Sequence, residues 1–164
     1  MPAQVNLLGD CPCLETLEIS ENVIKTFAPS IVGLVHLKRL CAFENKIKEL
    51  PARFGDLVEL THLDMHNNDL RILPRTFPNC TKLQKIRLAG NQLLRLPDLL
   101  GTLPDLQILD ITANRMTALP FSLGYCKSLK ELHCQVRVCV LCAVSQLSQR
   151  GFLSSCWGWA MVEY

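Results

Sequence analysis

The chain has 164 residues, 49% of them hydrophobic, and its 17 basic and 15 acidic side chains leave a formal net charge of +2. Extended disorder is excluded, because it needs few apolar residues and a large net charge; so is a nucleic-acid binder driven by bulk positive charge. The nine cysteines leave three readings open: a disulfide scaffold, a metal site, or buried thiols behaving as small apolar residues. Their odd number argues against complete pairing.

At the N-terminus, Met1 to Asn6 carries neither a basic segment nor an apolar run, so no secretory signal is expected. On that reading the chain is cytoplasmic and its thiols are reduced. Leu8-Gly9-Asp10-Cys11 aligns with Phe54-Gly55-Asp56-Leu57, which makes residues 1–13 a partial N-terminal repeat. An improvised cap and a natural start further upstream are both compatible with it, since solenoids close their ends with atypical units.

From Leu14 onward the sequence repeats every 23 residues. Leu14, Leu37, Leu60, Leu83, Leu106 and Leu129 open the units. Three residues on come Leu17, Leu40, Leu63, Ile86, Leu109 and Leu132, and two further come Ile19, Ala42, Met65, Leu88, Ile111 and Cys134. Asn22, Asn45, Asn68, Asn91 and Asn114 keep the same spacing, followed by Ile24, Ile47, Leu70, Leu93 and Met116. The second half repeats as Phe27, Leu50, Leu73, Leu96 and Leu119, with Pro51, Pro74, Pro97 and Pro120. Independent columns at one period predict a solenoid.

Each column has a physical reason. In Leu-x-x-Leu-x-Leu the last two apolar residues alternate as in a strand, so both point inward. One such strand cannot bury its apolar face alone, but copies stacked about 4.8 Å apart form a parallel sheet over a continuous core. Asn stands where the chain turns, and its amide can both donate to and accept from backbone groups that the strand leaves unpaired. Pro after Leu disfavours a long helix on the outer side. Gly55, Gly101 and Gly124 are expected to relax the next bend. Cys80 and Cys126 share the column of Leu34, Leu57 and Leu103, and Cys134 stands where other units have Ile or Leu. All three read as buried apolar thiols.

The pattern resembles the leucine-rich repeat of the 23-residue Leu-Pro type, as in intracellular Ras-associated scaffold proteins of the Ras-suppressor kind. The resemblance covers residues 14–134. It implies an α/β right-handed solenoid, a short horseshoe segment of about six parallel strands on the concave face with irregular or short helical convex turns. It also implies a non-catalytic protein-interaction module in signalling, with small GTPases or phosphatase and kinase complexes as partners. A substrate-reading adaptor of a ubiquitin ligase, or of another enzyme complex, remains an alternative, as does a truncated isoform with little activity of its own.

The repeat fails at the C-terminal end. Arg137 stands where Asn is due, and residues 135–164 contain no Leu-Pro or Leu-Gly; Cys139, Cys142, Cys156, Trp157 and Trp159 all fall here. Gln135-Val136-Arg137 is what an exon end followed by a splice donor encodes, so the tail reads as intron readthrough or an alternative exon, with a C-terminal cap as the other reading. Cys139-x-x-Cys142 near His133, Cys134 and Cys156 lacks the second pair of a strong zinc signal. The apolar run Val138 to Val144 is far shorter than the roughly 20 residues of a membrane span.

The outward positions of the strands are the candidate binding surface, because repeat proteins bind on the concave face. The central column is Glu18, Cys41, Asp64, Arg87, Asp110 and His133. It is flanked by Thr16, Arg39, His62, Lys85, Ile108 and Glu131 on one side and Ser20, Phe43, His66, Ala89, Thr112 and Gln135 on the other. Mixed charge suits a protein partner. Arg39, Cys41, Phe43, His62, Asp64, His66, Lys85, Arg87 and Asp110 are taken as the candidate contacts, with Phe43 as anchor and Arg39 and Arg87 beside it. His62-x-Asp64-x-His66 is a poor metal site, since alternate residues are about 6.6 Å apart and the two histidines about 13 Å. Cys41 is expected exposed near Arg39, which would lower its pKa. No catalytic, cofactor or metal residue is assigned. Asn79-Cys80-Thr81 satisfies the glycosylation rule only formally, without a secretory context.

Overall fold

Only three residues per repeat alternate cleanly enough to pair as a strand, and the strands are correspondingly short. In the computed structural model, which describes residues 11–135, they are β1 (Thr16–Glu18), β2 (Arg39–Cys41), β3 (His62–Asp64), β4 (Lys85–Arg87), β5 (Ile108–Asp110) and β6 (Glu131–His133). They form one six-stranded sheet in the order β1-β2-β3-β4-β5-β6. All neighbours are parallel, and the register advances by one repeat at each step: Leu17 faces Leu40, Leu40 faces Leu63, and so on to Leu109 and Leu132. The fold is a leucine-rich-repeat solenoid, as the spacing predicts. The readings of residues 136–164 as readthrough, alternative exon or cap, the zinc reading of Cys139-x-x-Cys142, and the alignment of Leu8 to Asp10 lie outside the described residues.

The convex half of each repeat is a 3₁₀ turn: Pro29–Gly33, Phe54–Asp56, Phe77–Asn79, Leu100–Thr102 and Phe121–Tyr125. The Leu-Pro pair accounts for this. Proline removes a backbone donor and restricts the residue before it, so the chain enters the outer side extended and has room for one tight turn only. Phe54 and Phe77 stack under these turns, their rings 5.8 Å apart and 6° from parallel.

The core is the predicted lattice. Leu40, Leu63, Ile86 and Leu109, with Ala42, Met65, Leu88 and Ile111, are buried behind the sheet, and Leu34, Leu57, Leu103, Cys80 and Cys126 are buried behind the convex turns. Cys134 is buried as well, so all three cysteines read as core members sit in the core. The first unit is less covered: Leu14, Ile19 and Ile24 are only partly buried. Among the described residues β1 has a strand neighbour on one side alone.

The asparagine column bonds as the turn requires. Asn68 Oδ1 accepts the Ile47 N–H at 3.0 Å, while its Nδ2 donates to the carbonyls of Ala42, Met65 and His66 at 2.9, 3.2 and 3.3 Å. Asn45, Asn91 and Asn114 repeat this set on their own repeat and the one before it. The residue before each asparagine is left-handed: φ is 56° at Glu21, 51° at Glu44, 54° at Asn67, 65° at Gly90 and 51° at Ala113. That twist turns the N–H of Glu21, Glu44, Asn67 and Gly90 onto a carbonyl of the following repeat.

The glycines act differently from the expectation. Among the described residues Gly90 alone of the glycines has positive φ, so Gly55, Gly101 and Gly124, although they lie in convex turns, need no glycine-only conformation there. A Cβ at Gly55 would collide with the Thr76 carbonyl, and one at Gly101 with the Ser122 carbonyl. These glycines are there because the next convex turn passes against them, with Thr76 Oγ1 and Ser122 Oγ accepting their N–H groups.

Two consequences are measurable by urea unfolding. Asn68→Ala strands the Ile47 N–H and takes one donor from the carbonyls of Ala42, Met65 and His66, which keep Asn45, Asn91 and the Glu44 N–H; it should cost about 1–3 kcal/mol, and unchanged stability would contradict the ladder. Gly101→Ala should cost about 1–3 kcal/mol by overpacking, whereas Ala113→Gly, which relieves a left-handed alanine, should gain about 0.5–1 kcal/mol.

Candidate protein-binding face

The parallel register decides which outward side chains are neighbours. Arg39, His62 and Lys85 stand side by side on β2, β3 and β4, with Ile108 next on β5. Cys41, Asp64, Arg87 and Asp110 form the adjacent row. Phe43 and His66 lie two residues further on, just past the strands.

Four of the candidate residues form one connected unit. The His66 ring stacks on Phe43, with centroids 4.6 Å apart and planes 12° from parallel. His66 Nδ1 lies 2.6 Å from Asp64 Oδ1, and Arg87 Nη1 lies 3.4 Å from Asp64 Oδ2. Asp64 therefore joins an aromatic pair to a guanidinium across β3 and β4. Its side chain is 17% exposed, against 56% for Arg87, so the carboxylate is the shielded centre and the cation the accessible end. Asp110 is held separately, accepting the Thr112 N–H at 3.1 Å and its hydroxyl at 2.8 Å. Phe43 is half-buried and leans on His66, so its link to Arg87 runs through His66 and Asp64. Arg39 belongs to the other row and is not part of this unit.

Cys41 corrects the expectation of an exposed, acidified thiol. It is half-buried, and its pKa is pushed up to about 11, first by burial, then by a hydrogen bond to Glu18 and the charges of Glu18 and Asp64; Arg39 opposes only weakly. The Glu18 carboxyl is held below its usual value, mainly by the Ser20 side chain. Cys41 is thus a neutral thiol on this face.

His62 is shifted the opposite way from a base meeting acids. Burial lowers its pKa first, followed by the charges of Arg39, Lys85 and Arg87. Thr61 Oγ1 lies 2.8 Å from both the Lys38 carbonyl oxygen and His62 Nδ1. His62 and His66 thus turn to different partners. Among the described residues no group of three or more His, Cys, Asp and Glu is placed to hold a metal ion. No helix among them is long and apolar enough to cross a membrane.

A shallow groove of about 610 Å³ lies on the Leu-Pro side, where no binding residue is expected from the sequence. Phe27, Leu50, Pro51, Ile72 and Pro74 line it, together with Glu49 and Arg75. The one signal is Ile72, 53% exposed in a column otherwise held by Thr26, Glu49, Arg95 and Ala118.

A leucine-rich-repeat family model matches residues 59–80. No curated protein matches the chain. Among solved structures it is similar to a leucine-rich-repeat protein of Leptospira interrogans, at 21% identity and TM-score 0.65, covering 87% of this chain and 43% of that one. It is also similar to the leucine-rich-repeat ectodomain of the Arabidopsis thaliana membrane receptor kinase GASSHO1/SCHENGEN3, solved with CASPARIAN STRIP INTEGRITY FACTOR 2, at 26% identity and TM-score 0.77, covering 87% and 18%. A third is the Arabidopsis receptor kinase HAESA, solved with the peptide hormone IDA and the co-receptor SERK1, at 25% identity and TM-score 0.76, covering 87% and 26%. The chain spans less than half the length of each.

The His62 shift has a sign that can be tested. Its folded pKa lies below the unfolded value, so the unfolded chain binds the extra proton and stability is lost as pH falls below about 6.5. An NMR titration should place His62 below an ordinary histidine, and Arg39→Gln or Lys85→Gln should move it back up; a titration indifferent to both would mean the cations do not act on the ring.

Proposed function

We propose that the chain is a non-catalytic protein-interaction module of intracellular signalling, acting in the cytoplasm and gripping a protein partner on its strand face. The observation that carries this reading is the Phe43–His66–Asp64–Arg87 unit, where an aromatic platform and an accessible guanidinium are held in fixed relation by one carboxylate. Pre-organised aromatic and arginine side chains are what binding hot spots are made of, because they bury large area at low entropic cost. The partly exposed Lys85 and the exposed Arg39 add charge at the rim, which favours encounter and orientation more than affinity.

Support also comes from the similar structures. HAESA was solved with a peptide hormone and a co-receptor, and GASSHO1/SCHENGEN3 with CASPARIAN STRIP INTEGRITY FACTOR 2; a protein or peptide partner is therefore the natural ligand class for this face. The Leu-Pro repeat's resemblance to Ras-associated scaffolds adds small GTPases, or phosphatase and kinase complexes, as the partners to try first.

Phe43→Ala combined with Arg87→Glu should abolish capture of specific partners from a cytosolic extract while circular dichroism and the unfolding midpoint stay close to those of the parent. Partners captured equally by both forms would place binding elsewhere, with the Leu-Pro groove as the next surface to substitute.

A further inference from the structure

Among the Lys and Arg side chains at outward strand positions, Arg39 and Lys85 differ from Arg87. Lys38 is paired with Glu15 at 2.7 Å, Lys82 with Glu59 at 2.6 Å, and Arg87 with Asp64 at 3.4 Å. Among the described residues Arg39 and Lys85 are in no ion pair, although carboxylates stand one row away at Glu18, Asp64 and Asp110. With His62 between them they make a row of three basic side chains on consecutive parallel strands. Strand spacing makes that row about 10 Å long. It is bounded in register by Thr16 on β1 and Ile108 on β5, with Glu131 beyond.

We infer that this row receives a short acidic segment of a protein partner, its carboxylates set across β2, β3 and β4, with a nearby apolar or aromatic side chain resting on the Phe43–His66 stack. The inference rests on the proposed strand-face reading and adds the chemistry of the partner. In a segment of polyproline II conformation two carboxylates three residues apart share one face and are separated by about 9 Å, close to the length of the row. The aromatic stack lies four positions along the strands, about 13 Å away, within reach of the next four residues of the same segment. The space between is compatible with that path: Cys41 is a neutral thiol, and the carboxylates of Asp64 and Asp110 are occupied by His66, Arg87 and Thr112. The low pKa of His62, partly caused by Arg39, Lys85 and Arg87, reports the unneutralised positive potential that an acidic group would meet.

A nucleic-acid backbone fits less well. Its charges continue in both directions, whereas this row ends after three strands and is followed by Glu131, with Glu18, Glu21 and Glu44 elsewhere on the surface. Phosphate binders need a field of one sign, and the net charge of the chain is only +2.

The test is selection of a random displayed dodecapeptide library on the immobilised full chain, followed by anisotropy titration of the selected peptides. Enrichment of Asp and Glu two or three residues apart, with an apolar or aromatic residue within the next four, is the expected result. Affinity should fall on the order of tenfold or more in the Arg39→Glu, Lys85→Glu variant, and less in the Arg39→Gln, Lys85→Gln variant. Thermal melts of both variants show that they remain folded. Selected peptides without acidic enrichment, no enrichment at all, undiminished affinity after charge reversal, or equal binding of a labelled 12-nucleotide single-stranded DNA would each overturn the inference. Peptides that survive the charge reversal but are lost with Phe43→Ala would remove the acidic row and leave the strand-face reading standing. Peptides that survive both would remove both.

Discussion

The side-chain amide of one asparagine per repeat is the interaction on which this structure depends. A strand of three residues that turns away at once leaves backbone groups of two adjoining repeats facing the interior, out of reach of water. Asn45, Asn68 and Asn91 are buried, and each side chain accepts one N–H and reaches three carbonyls, because an amide has an acceptor and two donors and can share one hydrogen between two carbonyls. The turn needs a companion condition. The residue before the asparagine adopts positive φ, so that its own N–H reaches the next repeat. Glutamate, asparagine, glycine and alanine all occupy that position, which shows that the ladder imposes the twist even where the side chain resists it.

On the outer side the constraint is steric. Convex turns of successive repeats approach so closely at Gly55 and Gly101 that a single carbon would strike the neighbouring carbonyl. The Leu-Pro pair keeps the path there extended before one 3₁₀ turn. The inner side is thus held by hydrogen bonds at strand spacing and the outer side by close contact.

A face built this way presents its side chains as rows, and each row is a set of fixed neighbours about 4.8 Å apart. Asp64 uses this: one carboxylate bonds His66 on its own repeat and Arg87 on the next, and the histidine in turn carries Phe43 of the repeat before. Three repeats are tied into one rigid patch. The adjacent row, Arg39, His62 and Lys85, has no acidic member and keeps its charge outward, so the face divides into an internally neutralised centre and a positive edge.

The 23-residue period alone determined the solenoid, its parallel strands, the buried leucine lattice, the core places of Cys80, Cys126 and Cys134, and the outward positions of every candidate contact. These follow from alternation and stacking, which depend on residue type at a fixed spacing and on nothing else. The tertiary structure decided what neighbours do to one another. The thiol of Cys41 is raised because burial, Glu18 and Asp64 outweigh Arg39; Phe43 is joined to Arg87 only through two intermediaries; Gly55 and Gly101 serve close approach rather than a glycine-only conformation; and Ile72 opens onto a groove. In each case the deciding atoms belong to a different repeat, and their distances and burial are set by how the repeats stack, which a period by itself does not specify.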